Sequence, residues 1–300
     1  MRPLRALVIY IAVVFIGGAL LAPRLYRLAQ LFGHLFPQAA NAPFHRFLDR
    51  SFLIVALAGL WPVMRSLGAA SFRDVGLVPP YGRWKIFFGG LLLGFLSLVA
   101  VACIAMAAGG RCAVHDLTSH KVVGVIFGAI MTAAVVATLE EILFRGGIFG
   151  GLRRVLYWPF ALLISGTIYA LVHFLEHSEL TGPVTWSSGL ALLPQTLGGF
   201  ANFHALVPGF FSLTLAGVLL GLAYQRTGNL YFSIGLHAGW IFCLRTYGAF
   251  TADAPGTATW FWGTGKMTDG WLAFFVLAAM LAVFKILPLD QRRPHYAIPK

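Results

Sequence analysis

The chain has 300 residues, of which 59% are hydrophobic and 11% charged, with a formal net charge of +12 and a mean hydropathy of +0.80. That composition excludes a water-soluble globular domain, in which about a quarter of the residues are charged. The basic residues are scattered over short segments and form no aromatic-interleaved stripe, which argues against nucleic acid as a partner and assigns the charge to membrane topology.

A bilayer core about 30 Å thick takes roughly 20 mostly apolar residues per helical crossing. On that measure the sequence predicts an all-α, polytopic membrane protein with about eight transmembrane helices in a bundle around a central polar cavity. The first span is expected over 7–22, behind the basic start MRPLR. Leu20 and Pro23 do not suit a signal-peptidase site, so this segment is expected to remain attached. PRLYRLAQLFGHLFPQ follows, with Leu25, Leu28, Phe32, Leu35 and Phe36 roughly along one helical face, and predicts an interfacial helix. Further spans are expected near 51–64, 86–108, 122–150, 158–177, 205–224, 230–247 and 270–287.

With a cytoplasmic N-terminus, most lysines and arginines fall inside, among them Arg2, Arg145, Arg153, Arg154, Arg292, Arg293 and Lys300. Arg24, Arg27, Arg46 and Arg50 fall in the first outer loop, where the interfacial helix would hold them at the headgroups. Cys103, Cys112 and Cys243 have no C-x-x-C spacing and suggest neither a disulfide framework nor a zinc site. Pairs of small residues at Gly90/Gly94, Gly146/Gly150, Gly147/Gly151 and Gly217/Gly221 would permit close helix packing. No repeat or linker divides the chain. It is read as one membrane domain: N-terminal spans over 1–120, a core over 121–248, and a last outer loop, eighth span and cytoplasmic tail over 249–300.

Ionisable groups inside a membrane are costly unless paired or facing water, so each is a functional candidate. In ATLEEILFRGGIFGGLRR, Glu141 and Arg145 stand four residues apart in the favourable order for a helical ion pair. Glu140 has Phe144 at that offset, is less compensated, and suits general-base work. A plain interfacial salt bridge is the other reading. His173 lies on the fifth span, followed by Glu176 and His177, and a turn centred near Leu156 and Tyr157 would bring Glu140 and His173 to similar depth. His237 lies nine residues past Gly228, well along the seventh span.

Carboxylates and imidazoles gathered in a membrane cavity suit activation of water for attack on a peptide carbonyl. In one route Glu140 and His173 deprotonate the water while His237 polarises the carbonyl or stabilises the oxyanion. In the other, His173, His237 and Glu140 bind Zn²⁺, which lowers the pKa of its bound water. Spacing does not separate the two. No serine or cysteine elbow supports a nucleophile, and Cys243 faces another direction on its helix.

E-E-x-x-x-R at Glu140, Glu141 and Arg145, an aromatic-x-x-x-H at Tyr169 and His173, and His237 on a later span together resemble the three motifs of the CPBP (Abi) family. That family comprises type II CAAX prenyl endopeptidases and bacteriocin-processing or self-immunity proteins. The likeness covers roughly 125–245, and SFRDVGLVPP at 71–80 looks like the family's short cytoplasmic segment before its core. It implies that Glu140 and His173 activate water, that Glu141 and Arg145 support the site, and that His237 serves the oxyanion site or a metal. Two positions depart from the pattern. Tyr169 replaces the usual phenylalanine, and Ile241 stands where H-x-x-x-N would place an amide; Arg245, two turns from His237, is the one conceivable substitute.

HFLEH at 173–177 also matches an inverted zinc-protease signature, with His173 and His177 as ligands and Glu176 as base. A non-catalytic membrane protein that binds, or confers immunity to, a peptide is a rival of a different class. A transporter is disfavoured, because neither paired broken helices nor an internal repeat is visible. The expected protein is therefore an intramembrane endopeptidase. Its substrate is a peptide or membrane-anchored protein reached from the cytoplasmic side, and its setting is a bacterial plasma membrane.

Overall fold

The computed structural model describes residues 2–115, 117–176, 179–287 and 289, with side chains from residue 5 onward. His177, Arg292, Arg293, Lys300 and the side chain of Arg2 lie outside the described residues, as does most of the expected cytoplasmic tail. Among the described residues the long helices are α1 (Arg2–Leu31), α2 (Phe44–Ser66), α3 (Trp84–Ala107), α4 (Ser119–Glu141), α5 (Trp158–His173), α6 (Phe203–Thr227), α7 (Tyr231–Phe250) and α8 (Trp271–Ile286). The protein is all-α and polytopic, as its composition requires. α1, α2, α3, α6 and the segment Ser119–Leu152 are long and apolar enough to cross a membrane. α5 and α8 are apolar but shorter. α7 has the length but carries His237 and Arg245.

The helices group into two compact units, one of Met1–Ala70 with His173–Asn202 and one of Ser71–Val172 with Phe203–Lys300. In the first, α1 and α2 form a hairpin. Gly18 lets the ring of Phe52 close onto α1, and the Tyr10 hydroxyl donates to the Ala56 carbonyl at 2.7 Å. Ala19, Ala22, Phe44, Leu48 and Leu192 form the core of this unit.

The first part of the expected interfacial segment continues the first span's helix: α1 runs through Pro23 to Leu31, and Arg46 and Arg50 lie in the first two turns of α2 rather than in a loop. Proline removes the N–H that would bond the Ala19 carbonyl, and membrane helices tolerate this where neighbours take over the freed groups. Here the short helix Ser188–Leu192 approaches that carbonyl through Gly189, and the Arg24 guanidinium donates to the Leu20 carbonyl.

In the second unit α7 packs against α3, α4 and α6. The α3–α7 contact is a reciprocal glycine interface. A Cβ on Gly90 or Gly94 would stand 2.3 or 2.1 Å from the carbonyl oxygens of Phe232 and Leu236. One on Gly235 or Gly239 would stand 2.0 or 2.4 Å from those of Phe87 and Leu91. Backbone meets backbone along both helices, the packing that substitutes for hydrophobic burial in lipid. Trp240 Nε1 donates to Ser97 Oγ at 2.9 Å and fixes the register.

At one end of α7 the segment SFRDVGLVPP folds as a 3₁₀ turn over Phe72–Val75, closed by a capping box between Ser71 and Asp74. It docks through Leu230 N–H to the Gly76 carbonyl at 3.2 Å and the Tyr231 hydroxyl to the Val78 carbonyl at 2.8 Å. Gly76 has φ +83°, and a Cβ there would meet the Tyr224 ring at 2.5 Å, so both conformation and space demand glycine. At the other end, strands β1 (Arg111–Ala113) and β2 (Thr251–Asp253) pair antiparallel, with Arg111 bound to Asp253 and Thr251.

The glycine interface gives a direct test. Gly94→Leu should separate α3 from α7 and destabilise the detergent-solubilised protein by about 1–3 kcal/mol or more, read as a lower unfolding midpoint. Gly89→Leu, on the same helix with open space beside it, should leave the midpoint unchanged.

Candidate active site

The carboxylate pair lies where α4 changes character. The sequence predicts one continuous α-helix over 122–150, but from Ile142 to Phe149 the chain is a π-helix, followed by a last α turn over Gly150–Leu152. π segments are rare and frequent at functional sites. Gly146, Gly147, Gly150 and Gly151 leave its flank without side chains. A Cβ on Gly146 would reach within 2.7 Å of the Val75 carbonyl, so the SFRDVGLVPP segment seats directly on this turn. Ser165 Oγ on α5 donates to the Phe144 carbonyl at 3.4 Å and takes up one of its acceptors.

Glu141 and Arg145 form the ion pair expected from their spacing, with Arg145 Nη1 at 2.9 Å from Glu141 Oε1. The two side chains are 0% and 2% exposed, so the pair is buried among protein side chains. The guanidinium lies over the Tyr169 ring at 4.5 Å, and its Nη2 is 3.5 Å from the Gly217 carbonyl. That carbonyl is reachable because Gly217 and Gly166 bring α6 and α5 into backbone contact: a Cβ on Gly217 would stand 2.7 Å from Gly166 Cα.

His237, buried on α7, closes the cluster. Its Nδ1 is 2.9 Å from Glu141 Oε1, the oxygen that also takes Arg145. An ionised carboxylate only accepts, so Nδ1 carries the proton and donates it. The Nε2 of a neutral ring is then an acceptor, and the Tyr169 hydroxyl lies 3.3 Å from it, able to donate. Glu140 Oε2 lies 3.8 Å from the same Nε2, with its side chain 23% exposed. The second carboxylate oxygen of Glu141 has no hydrogen-bond partner among the described residues.

Four of the expected residues, Glu140, Glu141, Arg145 and His237, are thus brought together. His173 is the last residue of α5, is exposed, and falls in the other compact unit. The Tyr169 hydroxyl also meets this cluster, and its one signal in the sequence is the departure from phenylalanine.

Ile241 brings no polar group to this cluster. It packs with Ala133, Ala137 and Ala238 in the apolar contact of α4 with α7. Arg245 is exposed and two turns on, about 12 Å along the helix axis from His237, so it does not stand in for the amide. The inverted zinc signature does not lie on one helix: α5 stops at His173, Glu176 lies beyond it with its N–H bonded to the Thr196 carbonyl, and His177 is outside the described residues. Within this cluster the metal donors left over are Glu140 Oε2 and His237 Nε2. Among the described residues no group of three or more His, Cys, Asp and Glu side chains is arranged to hold an ion. That donor set does not fit a zinc centre, which takes at least three protein ligands.

Comparison with known proteins agrees with the motifs. Residues 122–243 match the family described as "Type II CAAX prenyl endopeptidase Rce1-like", which shows the likeness over that segment. The uncharacterized protein YyaK of Bacillus subtilis (strain 168) is 21% identical over 237 residues, covering 78% of this chain and 72% of the relative. No solved structure matches significantly. The family supports an intramembrane protease-type function in general.

A buried pair that loses one partner leaves an uncompensated charge, at a cost of about 3–5 kcal/mol. Arg145→Met should therefore destabilise the protein by that amount in reversible unfolding from mixed micelles, and adding Glu141→Gln should recover part of the loss. A single-variant loss below about 1 kcal/mol would show that the pair does not hold the site together.

Proposed function

We infer, from a core that matches the Rce1-like family and from the cluster it carries, that the protein is an endopeptidase that hydrolyses a peptide bond within the membrane. The observation that carries this reading is the imidazole of His237, oriented at Nδ1 by Glu141 and presenting Nε2 toward Glu140 and Tyr169. The Glu140–His237 separation of 3.8 Å is too long for a direct hydrogen bond, and it must widen slightly to admit a water between them.

In the proposed reaction that water attacks the scissile carbonyl carbon and gives its proton to Glu140. The carbonyl oxygen becomes an oxyanion, and the Tyr169 hydroxyl donates to it in place of the amide absent at position 241. Collapse of the tetrahedral intermediate breaks the C–N bond, and the proton held by Glu140 passes to the leaving amine. Glu141 and Arg145 touch no reacting atom; they fix the tautomer and angle of His237. The family likeness adds His173 as a second group acting on the water. The substrate class is a peptide or membrane-anchored protein, and the setting is a bacterial plasma membrane with both termini cytoplasmic. No step runs through a metal, so the activity should survive chelation.

Ile241 favours one rival, a membrane protein of the same fold that binds or shields against a peptide without cutting it. The two readings separate on Glu140. In purified protein assayed on a peptide library, Glu140→Gln should lower kcat by about 10²–10⁴, the range of general-base contributions, with or without chelator. A phenotype that survives Glu140→Ala unchanged would establish the rival.

Tyr169→Phe keeps the ring over Arg145 and removes the hydroxyl alone. It should lower kcat by about 10²–10³, as loss of one oxyanion donor does, while KM moves less than threefold. An equal rise in KM with kcat intact would remove Tyr169 from the reacting atoms.

A further inference from the structure

The four arginines of the N-terminal hairpin have no part in the site above. Residues 24–50 hold Arg24, Arg27, Arg46 and Arg50 against a single acid, Asp49. Arg46 and Arg50 stand one turn apart at the start of α2, both exposed, and neither makes an ion pair among the described residues. Between the end of α1 and the start of α2 lies a cavity of about 480 Å³, in the size range of small-molecule sites. Its polar groups are Arg46, Arg50 and Gln38, and its apolar walls include Leu35, Phe36 and Ala39. Leu35 and Phe36 are more than half exposed and continue the bare apolar surface of Leu28 and Leu31 on α1 and of Phe32 just beyond it.

The cavity is therefore cationic at one side, apolar at the other, and placed where two candidate membrane spans end. Guanidinium groups bind phosphate bidentately, and arginine at a helix end reaches the headgroup layer while its stem stays in hydrocarbon. A soluble anion would use the arginines and leave the apolar wall bare, whereas an anionic glycerophospholipid uses both. We propose that this cavity is a binding site for one anionic phospholipid, its phosphate held by Arg46 and Arg50 and its acyl chains laid along Leu35, Phe36 and the adjoining face of α1.

The test uses the full chain in detergent micelles, doped with phosphatidylglycerol or phosphatidylcholine, with retained lipid counted by native mass spectrometry. Wild type should retain one phosphatidylglycerol in preference to phosphatidylcholine. Arg46→Gln with Arg50→Gln should weaken retention about tenfold, and Arg46→Lys with Arg50→Lys should keep most of it. Ala39→Trp should block retention with all four arginines present. Arg24→Gln with Arg27→Gln, which removes the same charge outside the cavity, should change it less than twofold. Equal retention of the two lipids, equal loss in the two glutamine pairs, or binding of inorganic phosphate as tight as that of phosphatidylglycerol would overturn the assignment.

Discussion

A single carboxylate oxygen organises the second unit. Glu141 Oε1 takes Arg145 from the next turn of its own helix and His237 from α7, each at 2.9 Å, at a point where the carboxylate is fully buried. In a low-dielectric interior neither charge is tolerable alone, and the pair is sustained by the hydrogen bonds that surround it. The imidazole supplies one of those bonds on the acid side. The Gly217 carbonyl and the face of Tyr169 supply contacts on the guanidinium side. Three helices beside α4 are thereby tied to one ion pair, and the reactive-looking groups, Glu140 and His237 Nε2, inherit their positions from it.

Reaching that geometry requires backbones to come closer than side chains normally allow. Gly217 against Gly166 opens the path from Arg145 to a carbonyl on α6. Gly90 and Gly94 against Gly235 and Gly239 draw α7 onto α3, which sets the depth of His237. The π segment completes the arrangement. It begins immediately after Glu141, and Arg145 sits inside it, so the widened turn is where the guanidinium leaves the helix. Glycine on both sides lowers the steric cost of that turn, and the capped 3₁₀ segment at Phe72–Val75 covers it.

Much of this was legible in the sequence because charge inside an apolar run is rare. Glu141 and Arg145 announced their pairing by spacing alone, and His237 was marked as a candidate by its depth past Gly228. Other features were hidden for identifiable reasons. The pairing of His237 with Glu141 rather than Glu140 depends on which of two adjacent acids faces α7, and a helix turns about 100° between them. The π segment leaves no periodicity to detect over eight residues. The first span reads as ending before Pro23 because the missing proline N–H is local information, whereas the close approach of Gly189 to the Ala19 carbonyl belongs to tertiary structure. Gly235 and Gly239 passed unnoticed beside His237, although only with them does the small-residue pair on α3 have a mate.

Ile241 and Tyr169 are best understood together. An amide at 241 would stand in the contact of α4 with α7, against the apolar cluster of Ala133, Ala137 and Ala238. An amide buried without a partner there would cost free energy that isoleucine avoids. The donor it would have supplied is instead found on α5, where the Tyr169 hydroxyl meets His237 Nε2 from the opposite side of the ring to Glu141. Phenylalanine at 169 would preserve the edge contact with Phe144 and the face under Arg145, but it would remove the hydroxyl from Nε2. The two departures from the motif pattern thus bear on one imidazole: isoleucine keeps an amide out of the apolar cluster beside it on α7, and tyrosine places a hydroxyl against its Nε2 from α5.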